Sequence, residues 1–230
     1  SLVYTPFPSR ASLVYLGNVV NMLGKAVTLR SSDPTDPDVV AATIIDGEDT
    51  RRGIACFNEE TSETIISGFT ITNGFSVGFD YNGDGDIDWW EDCGGGMCNS
   101  NNSNPTLTNC TFTSNTASTY SGGGRYNCIY SNPTLTDCTF KNSTADRGGG
   151  MYNNAGSPSL TNCTFENNTA DNYGGGMCND TSSPTLTTCT YTNNSASAGG
   201  GMVNYESNPM LENCTFTANS AEFSGCSRVI

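Results

Sequence analysis

A glycine triplet that recurs at nearly equal spacing constrains the fold of this chain more than any other feature. The triplets open at Gly94, Gly122, Gly148, Gly174 and Gly199, which lie 28, 26, 26 and 25 residues apart. A second phrase follows each triplet, and its copies read NPTLTNCTFTSNTA, NPTLTDCTFKNSTA, SPSLTNCTFENNTA, SPTLTTCTYTNNSA and NPMLENCTFTANSA. So constant a period indicates that each copy occupies the same place in a stack of similar units.

The repeating unit has the pattern of strands rather than of a helix. Polar and apolar residues alternate through Thr-Leu-Thr and Cys-Thr-Phe, and β-branched Thr favours extended structure. Glycine clusters and Asn-rich steps supply turns between these segments. We therefore predict three short strands and three turns in each unit. The resulting fold class is all-β, a single-stranded right-handed parallel β-helix of about 25–26 residues per coil, with coils stacked about 4.8 Å apart.

The alignment of the units predicts which side chains stack on one another. Three columns are expected inside: Leu107, Leu135, Leu160, Leu186 and Leu211; Cys110, Cys138, Cys163, Cys189 and Cys214; and Phe112, Phe140, Phe165, Tyr191 and Phe216. Left-handed backbone steps are expected at Asn109, Asp137, Asn162 and Asn213, because Asn and Asp tolerate them best. An amide ladder is expected at Asn115, Asn168, Asn194 and Asn219. Either the Met97 or the Cys98 column faces inward, and Arg125 in the Met column favours Met outward.

The rest of the chain divides around this array. Residues 18–77 have less regular strands and are interpreted as earlier coils, with a protruding loop at residues 33–38. The β-helix is thus predicted over 18–230, with an insertion at 78–92. Residues 1–17 are apolar, extended and marked by proline, so we expect them to cover an end of the coil or to add a strand to a neighbouring molecule.

The phrases GKAVTLRS, IIDG, SGFTITNG and GGGMYN followed by SPSLTNCTFENNTA carry a family resemblance. Over roughly residues 15–222 the chain resembles the secreted right-handed parallel β-helix repeat proteins of environmental bacteria. These are similar in turn to polymorphic outer-membrane-protein-like and pectate-lyase-like solenoids. The resemblance implies the fold and an extracellular or cell-surface location, but no particular activity.

The insertion contains the spacing of a calcium loop. Asp80, Asn82 and Asp84 stand at positions 1, 3 and 5, Gly85 at 6, and Glu91 at 12, which matches the EF-hand pattern. Asp86 is expected to bind Ca²⁺ through its backbone carbonyl, Asp88 through a water and Glu91 through both carboxylate oxygens. The loop resembles those of dockerins and is predicted to be a structural clamp. The alternatives are a regulatory calcium site and an acidic surface loop without metal.

Composition excludes several classes of function. The net charge of −14 disfavours nucleic acid and anionic lipid as partners, and the chain has no His for a Ser-His-Asp site. No apolar run is long enough for a membrane span. Acidic residues in the array, such as Asp137, Glu166 and Asp171, fall in different columns, so the chain is not expected to be an enzyme.

Cysteine and tryptophan leave alternatives open. The five-Cys column is interpreted as stacked thiols, with disulfides between neighbours not excluded. The better disulfide candidates are the remaining cysteines, Cys56, Cys93, Cys98, Cys128, Cys178 and Cys226, whose pairing the sequence does not define. Trp89 and Trp90 either pack the insertion onto the coil or stack against a sugar.

These observations predict a non-catalytic, calcium-stabilised, extracellular protein with a structural or adhesive role. A β-helix exposes unpaired strand edges at its ends, and neither end of this sequence has a recognisable cap, so we expect subunits to stack end to end into a filament. The alternative is a carbohydrate-active protein that binds or cleaves a surface polysaccharide.

Overall fold

The computed structural model describes residues 17–76 and 93–223. They form a parallel β-solenoid, as predicted, but each complete coil has four strands rather than three. The additional strand follows the aromatic column. Its Thr-Ala segments, such as Thr144–Arg147, pair with the same segments of the coils above and below, whereas the sequence pattern predicted only three strands in each unit.

The strands are numbered in chain order. The first described coil contains β1 (Asn18–Asn21), β2 (Thr28–Arg30), a helix α1 (Pro37–Ala42) and β3 (Ile44–Asp46). The next two coils contain β4 (Arg52–Cys56), β5 (Ile65–Ser67), β6 (Thr70–Thr72) and β7 (Phe75–Ser76), then β8 (Met97–Asn99), β9 (Thr106–Thr108), β10 (Thr111–Thr113) and β11 (Thr116–Ser121).

The regular part of the array continues in the same way. Its first two coils contain β12 (Arg125–Cys128), β13 (Thr134–Thr136), β14 (Thr139–Lys141) and β15 (Thr144–Arg147), then β16 (Met151–Asn154), β17 (Ser159–Thr161), β18 (Thr164–Glu166) and β19 (Thr169–Tyr173). The last two contain β20 (Met177–Asp180), β21 (Thr185–Thr187), β22 (Thr190–Thr192) and β23 (Ser195–Ala198), then β24 (Met202–Tyr205), β25 (Met210–Glu212), β26 (Thr215–Thr217) and β27 (Ser220–Phe223).

Equivalent strands of successive coils form four parallel sheets. Sheet 1 runs from β1 to β24, sheet 2 from β2 to β25, sheet 3 from β3 to β26, and sheet 4 from β7 to β27. The pairing is in register, so Leu135 lies between Leu107 and Leu160, and Phe140 lies between Phe112 and Phe165. The three predicted inward columns are therefore confirmed. Their members are fully buried until the last described coil, where Leu211, Cys214 and Phe216 are half-buried.

Two predictions about asparagine are also confirmed. Asn109, Asp137, Asn162 and Asn213 have φ between 52° and 54°, which turns the chain from sheet 2 to sheet 3. At the next corner, Asn168 Nδ2 donates to Asn194 Oδ1 at 3.0 Å, and Asn194 Nδ2 donates to Asn219 Oδ1 at 2.9 Å. Ser143 interrupts this ladder between Asn115 and Asn168, and its Oγ accepts the backbone N–H of Asn115.

The expectation that the Met column faces outward is wrong. Met97, Met151, Met177 and Met202 are fully buried in the main core, and Arg125 is buried in the same column. The Cys98 column lies on the other side of sheet 1, in a second apolar cluster with Tyr126, Tyr152, Cys178 and Val203. Both faces of the sheet are thus covered, and alternation alone does not identify the inner one.

The earlier coils are present as predicted, but part of the proposed loop at 33–38 is helical. Helix α1 begins at Pro37, and the side chain of Asp36 accepts the backbone N–H of Asp38. Proline at the first helical position and an acidic N-cap both favour helix formation. The segment lies over the outer side of sheet 3, where Thr70 Oγ1 donates to Val40 O at 2.9 Å.

Candidate functional site

The predicted calcium ligands lie outside the described residues, as do Trp89 and Trp90, but both flanks of the insertion are described. It leaves sheet 4 after Ser76, which pairs with Ala117. The chain returns at Cys93, which bridges Ser121 of the next coil. Residues 77–92 thus stand where the next coil has only residues 118–120.

The residue types in the insertion suit Ca²⁺. Asp80, Asn82, Asp84, Asp86, Asp88 and Glu91 carry only oxygen donors, and calcium in proteins takes about six to eight oxygens. The described residues contain no cluster of three or more Cys, Asp or Glu side chains arranged to hold a metal. The calcium prediction therefore rests on the sequence of the insertion.

A cluster of thiols lies where the insertion rejoins the coil. The thiol of Cys98 lies beside those of Cys128 and Cys93 in one buried cluster. Arg52 contacts the same place, with Nε 2.9 Å from Cys93 O and Nη2 3.8 Å from Cys93 Sγ. Its guanidinium also lies over the ring of Phe57, 5.4 Å from the centroid. We call Cys93, Cys98 and Cys128 the thiol cluster.

An open cleft of about 600 Å³ lies outside the turns between sheets 1 and 2, and the sequence did not predict it. Its lining residues are Phe57, Asn58, Glu59, Asn101, Asn102, Ile129 and Tyr130. Asn101 Nδ2 donates to Phe57 O at 3.1 Å, and Asn102 N donates to Ile129 O at 2.9 Å. The cleft is therefore assembled from three successive turns.

The backbone of the third turn is unusual. Ile129 has φ 45° and Tyr130 has φ 59°, a region that β-branched residues rarely adopt. This conformation leaves the Tyr130 side chain 70% exposed. A signal was present in the sequence, since Asn99 to Pro105 and Asn127 to Pro133 are each one residue longer than Asn153 to Pro158.

Comparison with known proteins agrees with the parallel β-solenoid fold. A family model described as a right handed beta helix region matches residues 86–227, more than half of the chain. The chain belongs to the right-handed β-helix family. No curated protein and no solved structure matches it. The family includes both enzymes and proteins without catalytic activity, so membership alone does not assign a function.

The cysteine ladder of this β-helix is structural. Each thiol donates to the backbone carbonyl two residues before it, at 3.4 to 3.6 Å, in Cys110, Cys138, Cys163, Cys189 and Cys214. They carry no disulfide, and Cys93, Cys98 and Cys128 are likewise present as thiols in this structure. Each of these carbonyls already accepts a backbone N–H at the corner between sheets 2 and 3, so the ladder thiol is a second, weak donor there and the column holds a small apolar residue.

Acidic side chains of the β-helix array also have structural partners. Asp137 accepts a hydrogen bond from Asn162 and Asp146 accepts one from Asn172, each across one coil. Asp180 accepts from Tyr152 Oη at 3.1 Å. These carboxylates lie in separate columns, as the sequence predicted. No helix in the described part of the chain is long and apolar enough to cross a membrane.

Proposed function

We propose that this β-helix is a non-catalytic extracellular protein with a structural or adhesive role, stabilised by Ca²⁺ and assembled end to end through its strand edges. The observation that carries the proposal is the condition of the last described coil. There the inward Leu, Cys and aromatic columns continue unchanged but are only half-buried, at Leu211, Cys214 and Phe216.

A second copy of the chain fits such an end. The rings of Tyr191 and Phe216 are stacked with centroids 4.5 Å apart, and a further coil with an apolar residue at this position would extend the stack. At the opposite end, Val19, Val20 and Leu29 are half-buried against the core. Their apolar side chains would pack against the half-buried columns of the last coil of a second copy. Within the described residues the first and last strand of each sheet pair on one side only, and their outer edges provide backbone groups for parallel pairing.

A calcium-dependent, secreted protein is consistent with the remaining features. Calcium near millimolar outside cells would saturate a loop of moderate affinity, whereas the net charge of −14 would otherwise oppose folding of the acidic insertion. The carboxylates of Asp137, Asp146 and Asp180 are occupied by Asn162, Asn172 and Tyr152, which supports structural rather than catalytic roles.

Sedimentation velocity tests the assembly. We expect the species to grow with protein concentration, and negative-stain images to show filaments one solenoid wide. Phe216→Lys places a charge on the end of the core and should leave monomers. Thr215→Lys is the matched control, because Thr215 is next to Phe216 and its own side chain points outward and is exposed. Monodisperse monomers of the natural chain with and without chelator would remove the filament and leave a spacer or adhesin.

The cleft favours a second candidate, binding of a polysaccharide. Exposed Tyr130 offers a ring for stacking against a sugar, and Asn58, Asn101 and Asn102 offer amides for hydrogen bonds. The lining contains Glu59 and no Lys or Arg, so a neutral glycan suits it better than an anionic one. Titration calorimetry with a panel of neutral glycans tests this, and Tyr130→Ala should abolish any binding. Release of unsaturated or reducing ends would indicate cleavage instead.

A further inference from the structure

The thiol cluster differs from the cysteine ladder in what its central thiol contacts. Ladder thiols also lie beside one another from coil to coil, but each in addition donates to a backbone carbonyl, as Cys138 does to Thr136 O at 3.4 Å. Among the described residues the fully buried Cys98 thiol shows no such carbonyl acceptor, and it packs against the thiols of Cys128 and Cys93. Thiols are weak donors and weak acceptors, so this contact adds little stability in the reduced form.

The glycine turn brings Cys93 to Cys98. Gly94 has φ 60°, and a Cβ built on it would lie 3.1 Å from the Cα of Cys98. Cys93, which directly precedes the glycine turn, therefore lies beside Cys98, which follows Met97. The same approach recurs two coils later, where Arg147 and Tyr152 occupy these positions and a Cβ built on Gly148 would lie 2.9 Å from the Cα of Tyr152. Proximity of the two positions is thus a property of the turn.

Cys128 is less favourably placed. Cys98 is in register with Tyr126, so Cys128 lies two residues further along the neighbouring strand. In parallel strands about 4.8 Å apart, an offset of two residues along the strand, about 6.6 Å, separates the Cα atoms by about 8 Å. Disulfides require Cα atoms no more than about 7 Å apart unless the backbone moves.

We propose that Cys93 and Cys98 form a disulfide when the chain folds in an oxidising compartment. A small-molecule disulfide such as oxidised glutathione is the oxidant. Its S–S bond breaks, one S–S bond forms between the two cysteines, and the two thiol hydrogens pass to the two released thiols. The bridge straps the glycine turn at the point where residues 77–92 rejoin the coil. It holds that point covalently whether or not calcium is bound, so it goes beyond the proposed function and does not depend on it.

Peptide mapping tests the bridge. The full chain is refolded in a glutathione redox buffer, unfolded under non-reducing conditions, alkylated and digested. We expect one peptide pair joined through Cys93 and Cys98, with Cys128 and the five ladder cysteines alkylated. Alkylated Cys98, a bridge from Cys98 to Cys128, or a metal adduct in the native mass spectrum would each overturn the proposal.

Neighbouring coils supply substitutions that the fold already accepts. Ser121 occupies the position of Cys93, Val203 that of Cys98 and Asn154 that of Cys128. Cys93→Ser and Cys98→Val should each abolish the bridge and leave the other cysteine alkylated, whereas Cys128→Asn should retain it. Loss of the bridge in Cys128→Asn but not in Cys93→Ser would contradict the pairing. If a variant does not fold, the map of the natural chain decides alone.

Discussion

Arg125 donates a hydrogen bond from Nε to Oδ1 of Asn127 at 3.0 Å, at the start of a buried asparagine ladder inside sheet 1. From Asn127 onward each Nδ2 donates to the Oδ1 of the next coil at 2.8 Å, through Asn153 and Asn179 to Asn204. Arg125 occupies the acceptor that Asn99 would otherwise use. The amide of Asn99 and both Nη atoms of Arg125 have no hydrogen-bond partner within the described residues. Burial lowers the pKa of Arg125 to about 10, yet it remains charged at neutral pH.

Arg125→Met should therefore stabilise the protein. The substitution restores the Met column, removes a buried charge and frees Asn127 Oδ1 to accept from Asn99. Replacing buried charged groups by packed apolar residues is often stabilising by about 1–4 kcal/mol, so we expect the free energy of unfolding to rise by roughly 2 kcal/mol.

Urea unfolding followed by circular dichroism measures this change. Arg147→Met is the control, since that side chain is partly exposed and lies over the Tyr173 ring. Its effect should stay within about 0.5 kcal/mol. A lower unfolding midpoint for Arg125→Met would show that the guanidinium contributes a favourable contact.

The repeat made most of the fold predictable, because a parallel stack places equivalent residues in one column. Leu, Cys and aromatic columns follow directly from the alignment. The Met column did not, since both faces of sheet 1 are buried and Arg125 is an exception to its own column. The fourth strand was missed because Thr-Ala is too short for a period to be seen.

The candidate sites also differ in how far the sequence alone predicts them. All predicted calcium ligands are local in sequence, so a spacing pattern identifies them. The cleft joins Phe57, Asn101 and Ile129 from three coils, and only the superposition of turns brings them together. The thiol cluster depends on the left-handed step at Gly94, which the sequence suggests but whose direction it does not define.

The amide ladder between sheets 3 and 4 predicts that alanine and serine at position 194 lower the free energy of unfolding by different amounts. Its Nδ2 donates to Phe165 O and Asn219 Oδ1, and its Oδ1 accepts from the backbone N–H of Asn168. Asn194→Ala removes the side-chain donor to Phe165 O and the acceptor of the Asn168 N–H, at about 1–3 kcal/mol for each, whereas Asn219 Oδ1 keeps the backbone N–H of residue 194. We expect a loss of roughly 3 kcal/mol in the free energy of unfolding.

Asn194→Ser is the matched comparison, because Ser143 already occupies this column and accepts the backbone N–H of Asn115 at 3.3 Å. The serine variant should recover about 1 kcal/mol relative to alanine. Equal stability of the two variants, measured by urea unfolding, would mean that the side-chain bond to the preceding coil has no net value.

The buried thiol of Cys178 should make the free energy of unfolding decrease at alkaline pH. Burial raises the pKa of its thiol to about 12, whereas an unfolded thiol titrates near 8.5. Between these values the folded state keeps a proton that the unfolded state releases. The contribution is fully present below about pH 8.5 and declines by about 1.4 kcal/mol per pH unit above it.

Cys178→Val removes this dependence and places in the column the residue found at Val203. Relative to the natural chain, the variant should gain roughly 2 kcal/mol between pH 8 and pH 10 in urea unfolding. Val203→Ala does not titrate and should keep a constant difference over the same range. A constant difference for Cys178→Val as well would indicate that water reaches the thiol.

Calcium should stabilise the folded chain through the insertion alone. With about 1 mM free Ca²⁺ and a dissociation constant near 10 µM, binding adds roughly 2.7 kcal/mol to the free energy of unfolding. Titration calorimetry should give one site, and chelation should lower the urea midpoint accordingly.

Asp80→Ala or Glu91→Ala removes a ligand, so both responses should disappear. Asp171→Ala removes an exposed carboxylate of the array and should keep both, which separates site binding from a general effect of net charge. Retention of the calcium response in Asp80→Ala and Glu91→Ala would place the ion elsewhere, and an identical midpoint with calcium or chelator in the natural chain would refute the calcium clamp.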